Sequence, residues 1–118
     1  TALPFTIRHD DAAVNAGAAA MLGAAIVSGD VTLLKDAFHD RLHEQYRAAD
    51  APLLAELRAH APTGAVGVTL SGSGPSVVVW ADKRRADEVA ASLRHSLSDD
   101  TNVLPVRVAE KGAHLVGV

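Results

Sequence analysis

The sequence predicts an α+β domain in which helices pack on one face of a small antiparallel sheet. Over the first half of the 118 residues, apolar side chains recur with a period near four, which is typical of amphipathic helices. After residues 62–64 the period changes to two, which indicates strands. The order is helices, hairpin, helix, hairpin, and this order favours a single α+β domain over residues 1–118.

The first predicted helix is rich in alanine and has end signals on both sides. Asp10 and Asp11 are N-cap candidates, because their carboxylates can accept hydrogen bonds from the free backbone N–H groups of a first turn. Ser28 followed by Gly29 is a common way for a helix to end, so we expect the helix to run through Val27.

The second helix is expected to begin at Asp30, a good N-cap residue, and to continue without a break to Arg47. It carries two stripes with four-residue spacing. The apolar stripe is expected to face the core, and the polar, basic stripe lies on a different side. The stripes are formed by Leu34, Phe38, Leu42 and Tyr46, and by Lys35, His39, His43 and Arg47.

The third helix is short and leads into the first hairpin. Asp50 is its expected cap, and Pro52 lies in its first turn, where the missing N–H of proline costs nothing. Residues 66–70 and 77–80 are then predicted as two strands joined by a glycine-containing loop. The apolar side of the third helix is formed by Leu53, Leu54 and Leu57.

A fourth helix and two further strands complete the prediction. Asp82 is the expected cap of the helix, and the strands are expected at residues 103–108 and 113–118. A strand-helix-strand-strand-helix-strand plan fits if one strand precedes Thr1, so the sheet is expected to lack its first strand and the chain to continue from something longer. The apolar face of the fourth helix is formed by Ala86, Val89, Ala90, Leu93 and Leu97.

The composition excludes several classes of protein. Hydrophobic residues make up 48% and charged residues 21%, which is typical of a globular protein. The net charge of −3, without a local cluster of Lys or Arg, argues against nucleic-acid binding. No apolar run is expected to span a bilayer, since residues 12–27 are mostly alanine and include Asn15 and two glycines. The absence of cysteine excludes disulfides and thiolate sites, and we expect a soluble, cytoplasmic protein.

The loop at residues 69–76, Thr-Leu-Ser-Gly-Ser-Gly-Pro-Ser, is the main candidate for a ligand site. Two glycines allow positive φ and let a ligand approach the peptide groups directly, which suits an anion. The alternative is an ordinary hairpin connection whose glycines serve only the turn. Neither the dinucleotide-binding fingerprint nor the P-loop pattern matches, and both interpretations stay open on spacing alone.

Two catalytic patterns are incomplete in this sequence. His39 and His43 lie one helical turn apart, as in zinc proteases, but no third ligand stands at a suitable spacing, so no metal site is predicted. Ser73 lies between two glycines without matching the nucleophile-elbow pattern. Arg47 is of more interest, because a guanidinium at a helix end can hold a carboxylate or phosphate with two hydrogen bonds; the alternative is a surface ion pair.

The loop and Arg47 together resemble the GHMP kinases, the family of galactose, homoserine, mevalonate and phosphomevalonate kinases. Residues 66–76 are similar to the third conserved motif of that family. Residues 40–47, Asp-Arg-Leu-His-Glu-Gln-Tyr-Arg, resemble the Asp-x-x-x-Glu-Pro-Tyr-Arg segment of its homoserine kinase branch. Leu3-Pro4 and residues 11–15 are similar to the start of the first helix of the C-terminal domain, and the likeness extends over essentially the whole chain.

The resemblance implies a ferredoxin-like C-terminal half of a cytoplasmic, ATP-dependent kinase that converts L-homoserine to O-phospho-L-homoserine in threonine biosynthesis. It implies that Arg47 holds the homoserine carboxylate, that Gly72 lies against the amino acid, and that Ser71, Ser73 and Gly74 complete the active-site loop. ATP and Mg²⁺ are the expected cofactors, held mostly by an N-terminal domain that this sequence does not contain. The expected partners are L-homoserine, ATP, that domain and, as an open alternative, a second copy of the chain.

The sequence departs from the family pattern in two ways. Gln45 stands where proline is usual, and the phosphate-binding loop of the N-terminal domain is absent. No residue of this chain is an evident catalytic base, so we expect the isolated chain to lack kinase activity. Two other interpretations stay open: another GHMP kinase acting on mevalonate or a sugar, and a free-standing ferredoxin-like module that binds a small amino acid and regulates another protein.

Overall fold

The structure is a computed structural model that describes residues 3–109 and 111–112. It confirms an α+β fold, with helices around a two-stranded antiparallel sheet. The elements are α1 (His9–Ser28), a 3₁₀ turn (Val31–Leu33), α2 (Leu34–Ala37), α3 (Glu44–Arg47), a second 3₁₀ turn (Ala48–Asp50), α4 (Pro52–Ala59), β1 (Ala65–Leu70), β2 (Val77–Ala81) and α5 (Ala86–Ser96).

Helix α1 has the predicted length but a different cap. Gly29 ends it in the left-handed conformation, with φ 71°, and its N–H donates to the Ala25 carbonyl, as the sequence predicts. Arg8 occupies the N-cap position, so the prediction that Asp10 or Asp11 caps the helix is wrong. Both carboxylates lie inside the first turn instead, where they interact favourably with the helix dipole.

The expectation that no segment is long and apolar enough to span a bilayer is corrected by α1. By length and composition alone this helix could cross a bilayer. It is the single helix of the described chain with these properties, which core helices of soluble proteins and signal sequences share. The apolar character comes mainly from alanine, which has little surface to bury, so it is weak evidence for a membrane segment.

The predicted second helix is interrupted in the middle, and this prediction is wrong. Asp30 does cap the first turn, through its side chain and the Thr32 N–H, but α2 ends at Ala37 and α3 begins only at Glu44. The Asp40 carboxylate accepts hydrogen bonds from the backbone N–H groups that follow it, and this local alternative competes with helix formation. The two four-residue stripes therefore do not lie on one helix.

Helix α4 is confirmed, with one change at its start. Pro52 is its first residue, and Leu54 and Leu57 are buried on its inner side. Ala51 is the N-cap residue, whereas Asp50 belongs to the preceding 3₁₀ turn, so the predicted cap is wrong. Ala51 itself is almost fully buried, which packs the turn before α4 directly into the core.

Strands β1 and β2 form the predicted antiparallel hairpin, with Leu70 paired with Val77 beside the loop and an irregularity near Gly67. The face that carries Val68 packs against α4 and α5 and forms the main core. On the opposite face, Trp80 donates a hydrogen bond to the Thr69 hydroxyl. The main core consists of Ala51, Leu54, Leu57, Val68, Val89 and Leu93.

Helix α5 presents its predicted apolar face, with Val89 and Leu93 buried in the core. Asp82 accepts a hydrogen bond from the Arg84 N–H and shapes the turn before α5, although Arg85 holds the N-cap position. Residues 103–108 do not form the expected strand, and the strand expected at residues 113–118 lies outside the described residues. A cavity of about 570 Å³ lies between β2, α4, α5 and the segment after α5.

Candidate functional site

The loop between β1 and β2 has a tight, closed base and an exposed tip. The N–H of Ser71 donates to the carbonyl of Ser76 at 2.9 Å, and the N–H of Gly74 donates to the carbonyl of Ser71 at 3.1 Å. These bonds close the turn directly above the end of the sheet. Gly72, with φ 57°, and Gly74, with φ 77°, both lie in the left-handed region that favours glycine.

The two glycines have different surroundings. A methyl group on Gly72 would meet no atom within 4 Å, so the backbone there is open to an incoming molecule. A methyl group on Gly74 would lie 3.1 Å from a Leu70 methyl carbon and 3.7 Å from the Cβ of Ala51. Within the described part of the chain, the N–H groups of Gly72 and Ser73 donate no hydrogen bond. The loop tip thus offers free donors, which is the arrangement that suits an anionic group.

Helix α3 is fastened to the base of this loop by Glu44. The Glu44 carboxylate accepts a hydrogen bond from the Leu70 N–H at 2.7 Å and pairs with the Arg58 guanidinium at 2.6 Å. Arg58 also donates from Nε to the Val68 carbonyl at 3.1 Å. Glu44 is 7% exposed and is the buried charged residue of the described chain. Three residues later, Arg47 ends α3.

In the sequence, Arg47 therefore lies between two residues that contact the loop or the residue just before it. Glu44 holds the residue before the loop, and Ala51 packs next to Gly74 within the loop. The segment that carries Arg47 is in this way held close to the loop that carries Gly72. The binding roles of Arg47, Gly72, Ser71, Ser73 and Gly74 stay predictions.

Arg47 has no partner within the described residues. Its Nε atom is buried and donates no hydrogen bond, and its guanidinium forms no ion pair with any described residue. A buried donor without an acceptor costs about 1–3 kcal/mol, so such groups are uncommon and call for an explanation. The alternative interpretation of Arg47 as a surface ion pair finds no support here. A guanidinium that no protein group uses can instead hold the carboxylate of a small molecule.

The start of α3 is fixed by a polar network that extends to α1. Asn15 donates from its side chain to Asp40 at 3.0 Å and accepts from the Arg41 N–H at 2.8 Å. Burial acts to raise the pKa of the Asp40 carboxyl, but hydrogen bonds from Asn15 and from the N–H groups of Leu42, His43 and Glu44 outweigh it and lower that pKa. Asp40 therefore stays ionised and anchors the turn before α3.

The two histidines with zinc-protease spacing, His39 and His43, have other neighbours. His39 contacts the Asp36 carbonyl through Nδ1 at 3.1 Å, and Nδ1 of His43 lies 4.0 Å from the Asp40 carboxylate. Among the residues that the structure describes, no group of three or more His, Asp or Glu side chains could hold a metal ion.

Comparison with known proteins identifies the family. The family described as "GHMP kinases C terminal" matches residues 22–99, which include the Arg47 segment and the whole hairpin. The chain belongs to this family. The GHMP kinase C-terminal match covers both elements of the candidate site, so the resemblance expected from the loop and from Arg47 is confirmed.

Several relatives of this GHMP kinase C-terminal chain bear the name "Homoserine kinase". The protein of Desulfitobacterium hafniense is 37% identical over 97 residues, which is 81% of this chain and 33% of that protein. The protein of Gloeobacter violaceus is 46% identical over 78 residues, or 65% of this chain and 26% of its own length. The protein of Listeria monocytogenes is 36% identical over 115 residues, covering 96% of this chain and 40% of that protein. The chain thus spans about a third of the length of the curated relatives it matches.

Sequence reasoning missed the two residues that join α3 to the sheet. In the continuous amphipathic helix that the sequence predicts, an acidic residue such as Glu44 is expected to face solvent, and no sequence pattern distinguishes Arg58. Neither position carries a pattern that indicates an ion pair with a buried carboxylate. The one available indication was the resemblance of residues 40–47 to a family segment that contains glutamate at the Glu44 position.

Proposed function

We propose that this chain is the substrate-binding part of a homoserine kinase, a cytoplasmic enzyme that transfers the γ-phosphoryl group of ATP to the hydroxyl of L-homoserine and forms O-phospho-L-homoserine in threonine biosynthesis. The observation that carries the proposal is the unpaired Arg47 guanidinium, on a helix fastened to the base of an open glycine loop. The names of the relatives support the choice of homoserine.

In this proposal the chain binds and orients the amino acid. The Arg47 fork holds the carboxylate of homoserine with two charge-assisted hydrogen bonds, for which a planar guanidinium is well suited. Gly72 lets the amino acid approach the backbone, and the loop residues Ser71, Ser73 and Gly74 shape the space around the hydroxyl that reacts. No residue of this chain is assigned as a catalytic base.

ATP and Mg²⁺ belong to the proposal as cofactors of the longer enzyme. The free N–H groups at the loop tip fit an anionic oxygen, so the loop can also contact a phosphate. The family resemblance implies that Mg²⁺ is held mostly by the N-terminal part of the enzyme. Bound Mg²⁺ would neutralise the phosphate oxygens during transfer, whereas this chain supplies position rather than charge neutralisation.

Substitution of Arg47 in the full-length enzyme tests the proposal. We expect Arg47→Ala to raise the KM for homoserine at least about 30-fold, since loss of one partner of a buried, charged hydrogen-bonded pair costs about 2–5 kcal/mol. Arg47→Lys keeps the charge but loses the fork, and we expect an intermediate KM. The KM for ATP should change little in both variants.

Arg84→Ala is the matched control. Arg84 is exposed and follows the end of β2 that lies away from the loop, so its loss should leave the KM for homoserine unchanged. An unchanged kcat/KM for homoserine in Arg47→Ala would contradict the carboxylate role. Faster phosphorylation of mevalonate or galactose than of homoserine by the wild-type enzyme would favour another GHMP kinase. Tight homoserine binding by the isolated chain would favour a free-standing module, whereas our proposal expects that chain to have no kinase activity.

A further inference from the structure

We propose that Glu44 is a positioning residue for the amino-acid site: it holds α3 and the base of the glycine loop together as one unit, so that Arg47 and Gly72 keep a fixed separation. The expected change in the KM for homoserine rests on the proposed function. The expected change in hydrogen exchange of the loop does not depend on which substrate the enzyme uses. Nothing in the family match or in the names of the relatives assigns this role to Glu44.

The contacts of Glu44 divide between two elements that are distant in the sequence. Its Oε1 atom accepts from the Leu70 N–H at 2.7 Å, across 26 residues. Its Oε2 atom accepts from the Arg58 guanidinium at 2.6 Å, across 14 residues. Since Leu70 directly precedes Ser71, the first of these bonds sets the position at which the loop leaves the sheet.

Arg58 makes the connection rigid. Its side chain donates from Nη2 to Glu44 and from Nε to the Val68 carbonyl at 3.1 Å. The guanidinium is planar, so these two directions are fixed relative to each other. Arg58 and Glu44 thus hold the Val68 carbonyl and the Leu70 N–H, which belong to alternate residues and point to the same side of β1. A rotation of α3 relative to β1 would break at least one of the three hydrogen bonds.

The burial of Glu44 argues for a positioning role over a purely stabilising one. Only the carboxylate of this pair is buried, and an ion pair repays the desolvation of a buried charge only partly, so a well-packed apolar residue in place of Glu44 could give similar stability. What an apolar pair does not supply is a directional bond to the Leu70 N–H. That bond places α3 in register with the loop, and Arg47 follows Glu44 by three residues, so it lies on a neighbouring part of the same helical surface.

The pair Arg85 and Glu88 provides a matched comparison. It joins the same residue types at 3.0 Å at the start of α5, and the two arginine side chains are equally exposed, at 42%, whereas the Glu88 side chain is 62% exposed and that of Glu44 only 9%. If the loss of any ion pair changed the enzyme in the same general way, variants of Glu44 and Glu88 would show similar effects. A positioning effect on the amino-acid site should occur only at Glu44.

The test uses Glu44→Gln in the full-length enzyme, with Glu88→Gln as the control. Glutamine can still accept from the Leu70 N–H, but its amide nitrogen then faces the Arg58 donor. The substitution therefore weakens the contact with Arg58 without leaving a cavity. We expect Glu44→Gln to raise the KM for homoserine about tenfold while the KM for ATP stays within about twofold, and Glu88→Gln to change neither constant. The hydrogen-bonded amides at the base of the loop, those of Leu70, Ser71 and Gly74, should also exchange faster in Glu44→Gln, with β2 and α5 unchanged.

The two readouts separate failure of this inference from failure of the proposed function. Unchanged hydrogen exchange in the loop of folded Glu44→Gln would overturn the positioning role. So would an equal rise in both KM values, or no rise in either, in an enzyme whose Arg47→Ala variant behaves as proposed. If Arg47→Ala leaves the KM for homoserine unchanged, the proposed function fails, and faster exchange confined to the loop would still support the role of Glu44. Arg58→Lys keeps the charge but loses the Nε donor to Val68. The amide hydrogens at the base of the loop should therefore exchange faster in this variant as well.

Discussion

The place of Gly67 in β1 leads to a prediction about stability that can be measured on this chain directly. A Cβ atom at this position would overlap the ring of Phe38, at its Cδ2 and Cε2 atoms. The ring has little room to withdraw, because it packs against Trp80 with 5.3 Å between the ring centroids. The φ angle of Gly67 does not lie in the left-handed region, so an alanine there meets no backbone strain and its whole cost comes from the ring.

The magnitude of the effect depends on whether the ring is present. Overpacking of this kind costs about 1–3 kcal/mol. Replacing a strand glycine by alanine raises the free energy of unfolding by about 0.5–1 kcal/mol, because the unfolded chain then has less entropy. We therefore expect Gly67→Ala to lower the free energy of unfolding by about 1–2 kcal/mol. In a Phe38→Ala background the ring is gone, and the same substitution should raise the free energy of unfolding by about 0.5–1 kcal/mol.

Urea unfolding followed by tryptophan fluorescence is a suitable assay, since the chain contains one tryptophan, Trp80, and it lies against Phe38. Gly17→Ala is the control: this glycine lies in α1 with no atom within 4 Å of an added methyl, so the change should stabilise the chain by about 1 kcal/mol. Equal destabilisation by Gly67→Ala with and without the Phe38 ring would refute the steric argument.

Two further predictions concern the loop and the turn before α3. In the full-length enzyme, Gly72→Ala and Gly29→Ala should lower stability by a similar amount, about 1–2 kcal/mol, because both glycines have positive φ and open surroundings, but only Gly72→Ala should raise the KM for homoserine, about tenfold. Equal KM values in the two variants would contradict the assignment of Gly72. Burial acts to raise the pKa of Asp40, but hydrogen bonds from Asn15 and the backbone outweigh it and lower that pKa. The stability that Asp40 adds is therefore present above its unfolded pKa of about 3.9 and is lost as the pH falls through the lower folded value. Asp40→Asn should cost about 1 kcal/mol at neutral pH, and the difference from the wild type in urea unfolding should shrink below about pH 4; a constant difference would contradict this.

The sequence was sufficient wherever one local pattern determined the structure. Gly29 ends α1 because only a residue without a Cβ takes a positive φ at low cost, and the hairpin follows from period-two strands around a glycine loop. It was insufficient where a distant residue decided between two local outcomes. The four-residue spacing of Leu34 to Tyr46 favours one helix, but Asn15 and the carboxylate of Asp40 stabilise a break in it.

The candidate site shows the same division. Arg47 and Gly72 were found because their residue types match a chemical task and because the segments around them resemble a known family. Glu44 and Arg58 were not found, since their importance comes from pairing across the fold and neither has a distinctive neighbourhood in the sequence. The residues that a ligand would contact were thus easier to predict than the residues that hold them in place.

The side chains that hydrogen-bond to the outer edge of β1, those of Glu44 and Arg58, also determine where a further strand can join the sheet. Within the hairpin, Val68 and Leu70 direct a carbonyl and an N–H away from β2, and these are the groups that an incoming strand would need. Arg58 and Glu44 already occupy them, so that border of the sheet is closed to a neighbour, which also protects it from edge-to-edge aggregation. A further strand, from this chain, from a longer protein or from a second molecule, can therefore extend the sheet only alongside β2.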